Sequence, residues 1–233
     1  MASTLAGISS KATGPLLAEL AASYQSAHGL AVTMESVGGV DAARRVAEGE
    51  PFDVVVLDQG QIGKLTAAGR LVAGSAQAVV RSLVVAAVGA GAAHPAIDTL
   101  EGFKAALLAA RAIGYSTGPS GVALLGMIES WGLTDKLQGR LVQAPAGRPV
   151  GAMIVAGEVD LGIQQYSELM NLPGVHILGA LPPGAEIVSL FTASVCAASS
   201  QPEEARRYVA FLASPAVADA KRRHGFEPLQ QPV

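Results

Sequence analysis

Two segments of this chain carry residue types and spacings suited to gripping a small anion. Tyr115-Ser116-Thr117-Gly118-Pro119-Ser120-Gly121 reads as a strand end passing into small hydroxyl residues and glycines, then into a helical pattern through Leu124, Leu125 and Ile128. A strand-to-helix turn of this kind aims backbone N–H groups beyond the strand end, where an anion can accept them. Ser116, Thr117, Ser120 and Gly121 form the strongest candidate group. Ser120 would equally well cap the helix, because capping and anion binding use the same geometry. Pro119 suits a helix entry and offers no donor. Tyr115 either packs in the core or extends its hydroxyl toward a ligand. The second segment, Gly157 to Ile163, reads as a helix end, a turn and a buried strand that runs into Gln164, Gln165 and Tyr166. Buried amide side chains need partners, and strand alternation lets only one of the two glutamines face a ligand.

Further candidates lie toward the N-terminus and in the middle of the chain. Ser9, Ser10 and Lys11 end a first strand and begin a first helix, supplying hydroxyls, helix-end N–H groups and one cation. Gly38 and Gly39 read as a tight turn with positive φ or as a point of close ligand approach. Arg148 precedes a helix start, where a guanidinium is unfavourable beside the helix dipole unless it serves a ligand carboxylate. Asp53 and Asp58 flank an apolar run. One of them could act as a base, although capping the next helix is the simpler role.

Several chemistries lack their signature. His28, His94, His176 and His224 have no metal-ligand spacing, so no metal is expected. Neither a nucleophile elbow nor a phosphate-binding or dinucleotide fingerprint occurs, and no cofactor is expected. The net charge of -3 gives no electrostatic case for nucleic acid or an anionic membrane. Cys196, the one cysteine, lies in an apolar run and reads as core. No apolar stretch is long enough to span a membrane.

The elements that must hold these residues follow from periodicity. Half of the 233 residues are hydrophobic and only 4% aromatic, so the core must be built from Ala, Val, Leu and Ile. Short β-branched runs alternate with helical stretches, which implies an α/β fold with mostly parallel strands. Strands are expected at 5–8, 31–36, 52–57, 82–88, 112–115, 161–164 and 187–193. Helices are expected through Leu16, Leu20 and Tyr24 up to Gly29, then at 42–48 with Asp41 as N-cap, 100–110, 150–156, 203–212 and 216–224. The paired arginines Arg44-Arg45 and Arg222-Arg223 read as solvated helix faces.

Set in order, these pieces resemble a known family. Leu17 to Ala21, Ala43 to Val54, Arg81 to Val85, Val150 to Ile163, Ala205 to Leu212 and Arg223 to Phe226 resemble the type II periplasmic solute-binding proteins, and among them the molybdate-binding branch. The resemblance runs over nearly the whole chain and rests on the shared order of the segments. It implies two α/β lobes, residues 1–80 with 190–233 and residues 81–189, with a ligand cleft between them. It also places Gly38 and Gly39 over that cleft and matches Arg148 to a position where the family often has arginine.

Departures from the molybdate pattern shape the ligand expectation. Where the family has a serine ahead of the first helix, a gapless reading puts Ala12, with Ser9 and Ser10 nearby. A second serine cluster is replaced by Gly38-Gly39, and the usual tyrosine after the late Gly-Ile by Gln164-Gln165, with Tyr166 one residue on. Glycines in place of hydroxyls leave room for an anion larger than molybdate, an organic di- or tricarboxylate. Two functions follow. One is capture of a small anion, delivered to an ABC transporter if the protein is exported. The other is cofactor-independent isomerisation of an unsaturated polycarboxylate, as in aconitate isomerase, which is similar to this branch; Ser10, Lys11, Arg148 and Tyr115 could share that work. No secretion signal precedes the first strand, so the chain as written reads as cytoplasmic, and as periplasmic if a signal was removed.

Overall fold

The computed structural model of the protein describes residues 4–145 and 147–229. The chain divides into two compact units, one running to Ser82 and resuming at Leu190, the other spanning Leu83–Ser189. Each is an α/β sandwich.

The first unit begins β1 (Thr4–Ser10), α1 (Gly14–His28), β2 (Ala31–Val37), α2 (Gly39–Glu48), β3 (Val54–Asp58) and α3 (Gln59–Ala67), with a single 3-10 turn at Lys11–Thr13 ahead of α1. β1 lies between β2 and β3 and is parallel to both, with Ser9 opposite Ser36 and Val56. β3 is the fully buried strand that its unbroken apolar run implies. Val54 and Val56 face a core under α1, while Val55 and Leu57 face a second core under α2 and α3. Gly29 stops α1 in the left-handed conformation at φ 72°, its N–H donating to the Gln25 carbonyl.

β4 (Gln77–Gly89) carries the chain into the second unit. There follow α4 (Leu100–Ala109), β5 (Ile113–Tyr115), α5 (Pro119–Ser130), β6 (Leu141–Gln143), α6 (Val150–Val155), β7 (Leu161–Gln165), α7 (Tyr166–Leu169) and β8 (Val175–Ala180). β5 lies between β6 and β7, parallel to both. Phe103, Leu107, Leu124 and Ile128 of α4 and α5 cover one sheet face; Val150, Met153 and Ile154 of α6 cover the other. α6 sits close because glycine occupies that face. A Cβ on Gly162 would lie 2.5 Å from Ile154 Cδ1 and 2.8 Å from Val150 Cγ1. β9 (Val188–Val195) returns the chain to the first unit, pairing antiparallel with β3. α8 (Pro202–Ala213), α9 (Ala218–Arg223) and β10 (Glu227–Pro228) complete it.

Several sequence expectations need correction. The sheets are mixed, because β9 and β10 in the first unit and β4 against β7 and β8 in the second pair antiparallel. A strand that changes units and one that returns cannot both keep the direction set by strand–helix–strand crossovers. α2 starts at Gly39 with Gly38 as N-cap, so Asp41 lies inside its first turn. Neither glycine has positive φ. The sequence pattern does not reveal α3, α7, β6 and β8, which are short or, like β8, interrupted by His176 and Gly179. Arg44 is exposed as expected, whereas Arg45 is half-buried. It bridges Glu35 and Glu50 and lies over the Phe52 ring. His94 and His176, far apart in sequence, stack at 3.8 Å. Cys196 is buried, and desolvation and nearby Asp53 push its thiol up to about 12.

Two predictions arise from the packing. The Tyr208 hydroxyl is fully buried without a hydrogen-bond partner, so Tyr208→Phe should leave urea stability unchanged or raise it by about 1 kcal/mol. A marked loss of stability would show a partner. Glu19 of α1 receives hydrogen bonds from Arg223 and His224 at the end of α9. The Arg223 bond, then that from His224, holds the Glu19 carboxyl below the usual glutamate range. A depressed carboxylate contributes stability above its unfolded pKa and loses it as pH falls through the folded value. Glu19→Gln should therefore be less stable than the parent at neutral pH, and the gap should close in acid below the glutamate range.

Candidate functional site

Each unit brings its hydroxyl and glycine candidates to the carboxyl ends of its parallel strands, the end at which open α/β sheets bind ligands. The two sets differ in construction.

In the first unit, β1 alternation turns its two serines apart. Ser9 is wholly buried, its Oγ 2.8 Å from Ser36 Oγ at the end of β2. Ser10 is only half-buried, and Lys11 beside it is exposed. Ser10 lies by the start of α2, since a Cβ on Gly39 would stand 3.3 Å from Gln61 Oε1 and 3.7 Å from Ser10 Oγ. Gly39 thus lies close to the side chains of Gln61 and Ser10, and its backbone is not a turn with positive φ. The first intrahelical bond of α2 runs from the Ala42 N–H to the Gly38 carbonyl, and no side chain caps the helix. The N–H groups of Gly39, Val40 and Asp41 precede that bond and carry the positive end of the helix dipole.

Ser36 and Gln61 escaped the sequence reading. The register of β1 against β2 would have found Ser36, whereas Gln61 lies on the unrecognised α3. The two aspartates flanking β3 part company. Asp53, at its amino end, accepts from the Ala6 N–H and the Ser199 hydroxyl, away from the strand ends that hold the candidates. Asp58 caps α3 through the Gly60 N–H.

In the second unit, Ser116 Oγ and Ser120 Oγ lie 3.0 Å apart, with Thr117 exposed between them. Ser120 is not the cap of α5; Gly118 is, without a side-chain hydrogen bond. Gly121 serves packing. Its N–H donates to the Gly118 carbonyl, and a Cβ there would come within 1.9 Å of the Ser116 carbonyl oxygen. Tyr115 packs in the core beneath α5.

Gln164 faces α6, where its Oε1 accepts the Val150 N–H at 2.9 Å and so caps the helix from the neighbouring strand. Gln165 points to the opposite face and donates from Nε2 to Ser189 Oγ at 2.7 Å. Both glutamines are buried, so the choice between them is not one of exposure. Tyr166 opens α7 and packs partly against the α6 core. Arg148 does not join this group. Its guanidinium runs along α6 to Glu158, beyond the far end of that helix, at 2.5 Å.

What these arrangements can do is hold negative charge. Uncapped helix starts and short hydroxyls accept anions without a bound cation. The pattern of bacterial extracellular solute-binding proteins matches residues 5–227. The chain belongs to that family. Within it, the chain is of the type II periplasmic kind. An aconitate isomerase from a Pseudomonas species is 33% identical over 234 residues, covering 97% of this chain and 88% of that protein. The periplasmic molybdate-binding protein of Azotobacter vinelandii superposes with a TM-score of 0.78 at 22% identity, covering 97% of this chain and all of that one (100%). The sulfate-binding protein of Mycobacterium tuberculosis gives 0.79 at 17%, covering 98% and 88%. At these identities the solved structures share the fold.

A pair of glycine substitutions tests the packing. Gly121→Ala should cost about 1–3 kcal/mol or more, because backbone already fills the space its methyl needs. Gly38→Ala has open space and an ordinary φ of -57°, so its melting temperature should stay near that of the parent. Equal effects at both positions would contradict a packing role for Gly121 alone.

Proposed function

We propose that this solute-binding protein captures a small organic anion, a di- or tricarboxylate, and that in an exported form it passes the ligand to an ABC transporter. The observation that carries the reading is the recurrence, in both units, of an uncapped helix start beside a strand-end serine: Gly39 and Val40 with Ser10, and Ser120 with Ser116. Each set, taken by itself, offers donors suited to a carboxylate group. The glycine at position 39 supplies backbone donors without bulk, in keeping with a ligand larger than a tetrahedral oxyanion. The name of the Pseudomonas relative, aconitate isomerase, points to the same tricarboxylate class.

A second reading, isomerisation of an unsaturated polycarboxylate, is favoured by that relative's 33% identity over nearly the whole chain. The reaction removes a proton from carbon next to the double bond and returns one at another carbon, so it needs a base beside the bound carboxylates. Lys11 at the end of β1 is the titratable candidate there. Arg148 and Tyr115 are occupied by Glu158 and by the core. Binding without turnover is the reading that the donor sets support better.

Melting-temperature shifts with citrate, cis-aconitate, trans-aconitate, molybdate and sulfate test the ligand class. A ligand at a hundred times its Kd adds about 2.7 kcal/mol of stability. Carboxylates should give the larger shifts, and Ser10→Ala and Ser116→Ala should each weaken binding about tenfold or more. A shift from molybdate with none from the carboxylates would reverse the reading. Proton NMR in D₂O with either aconitate isomer separates the two functions. Interconversion or deuterium uptake lost in Ser10→Ala would establish the isomerase, and tight binding without either would leave the binder.

A further inference from the structure

One buried polar atom at the carboxyl end of the second unit's sheet has nothing to bond to. Gln165 is 5% exposed, its Nε2 is committed to Ser189 Oγ at 2.7 Å, and its Oε1 has no partner. A buried acceptor left unsatisfied is costly, and native folds keep few of them without a purpose.

Alternation along β7 locates this oxygen. Gly162 and Gln164 face α6, whereas Leu161 and Ile163 lie in the core beneath α4 and α5. Gln165 continues the second series, one step past Ile163. It therefore stands on the face covered by α5, at the strand end where α5 begins with Pro119 and Ser120. Donors for an anion and one orphaned acceptor thus share a face and an end of the sheet.

An acceptor there is repelled by a carboxylate oxygen. It can be satisfied only by a group that carries a hydrogen. We propose that Gln165, held in place by Ser189, accepts a hydrogen bond from a hydroxyl on the ligand, and so selects hydroxycarboxylates over carboxylates that lack the hydroxyl. This rests on the carboxylate-binding function proposed for the protein and refines its substrate class. Ser189 Oγ accepts the amide N–H, and in this arrangement the oxygen end is left for the ligand. A fully deprotonated oxyanion would leave Oε1 unpaired, and the cost of that counts against it.

Calorimetric titration with two matched pairs, citrate against tricarballylate and malate against succinate, isolates the hydroxyl. In the parent protein the hydroxyl-bearing member of a pair should bind at least tenfold more tightly. In Gln165→Met the preference should shrink to threefold or less, mainly through weaker binding of the hydroxylated member. The melting temperature of that variant should change little, because removal of the orphaned acceptor offsets loss of the hydrogen bond to buried Ser189. Ser189→Ala, which leaves Gln165 in place but frees its amide to turn, should also reduce the preference. Equal affinity within both pairs for the parent, or equal weakening of both members in Gln165→Met, would overturn the proposal while leaving carboxylate binding intact. Binding of neither pair, with sulfate or molybdate still bound, would remove the carboxylate reading itself and this refinement with it.

Discussion

In a parallel sheet each strand hands the chain to a helix at the same end, so the helix starts gather there with their first N–H groups unused. The rest of this structure is arranged around that constraint. β1, β2 and β3 do this in the first unit, and β5, β6 and β7 in the second. The protein then decides, helix by helix, which donors to silence. Asp58 caps α3, and Gln164 takes the first N–H of α6. α2 and α5 are left without a side-chain cap. α1 and α7 also start without a side-chain cap, so capping alone does not set α2 and α5 apart, each of which has a strand-end serine beside its start.

Small residues make that selection possible. Gly121 lets the first turn of α5 rest on the Ser116 carbonyl, which fixes Ser120 Oγ against Ser116 Oγ. Gly39 brings the start of α2 against Ser10 and Gln61, and Gly162 lets α6 settle on the sheet deeply enough for Gln164 to reach Val150. Larger side chains at Gly121 or Gly162 would hold helix and strand apart. The donors would then remain, but without fixed positions, and preorganised placement is what gives a binding site its affinity.

Charge is used sparingly near these surfaces. Arg148 is neutralised by Glu158 and Arg45 by Glu35 and Glu50, while Lys11 is exposed beside Ser10 among hydroxyls and backbone. Neutral donors of fixed geometry discriminate by shape and by hydrogen-bond pattern rather than by charge alone. The orphaned oxygen of Gln165 belongs to the same logic, because an acceptor among donors distinguishes ligands of equal charge.

The amino-acid sequence by itself determined the elements whose signals are local. The stripe of Leu16, Leu20 and Tyr24 with Gly29 after it made α1 legible, and the unbroken run of Val54 to Leu57 marked a strand buried on both faces. The hydroxyl and glycine segment after Tyr115 likewise marked a strand end, a turn and a helix start, since these are adjacent in the chain. Tertiary structure alone decided which side chains of those segments are available. Ser9 is spent on Ser36 at 27 residues' separation, Gln164 on Val150 at 14 and Gln165 on Ser189 at 24. Arg148, read from its position before a helix, turns instead to Glu158. Periodicity tells which residues share a face, but not which face a distant element will cover or what partner that element brings. A polar group's role is set by that partner, and the partner is known only once the chain has folded.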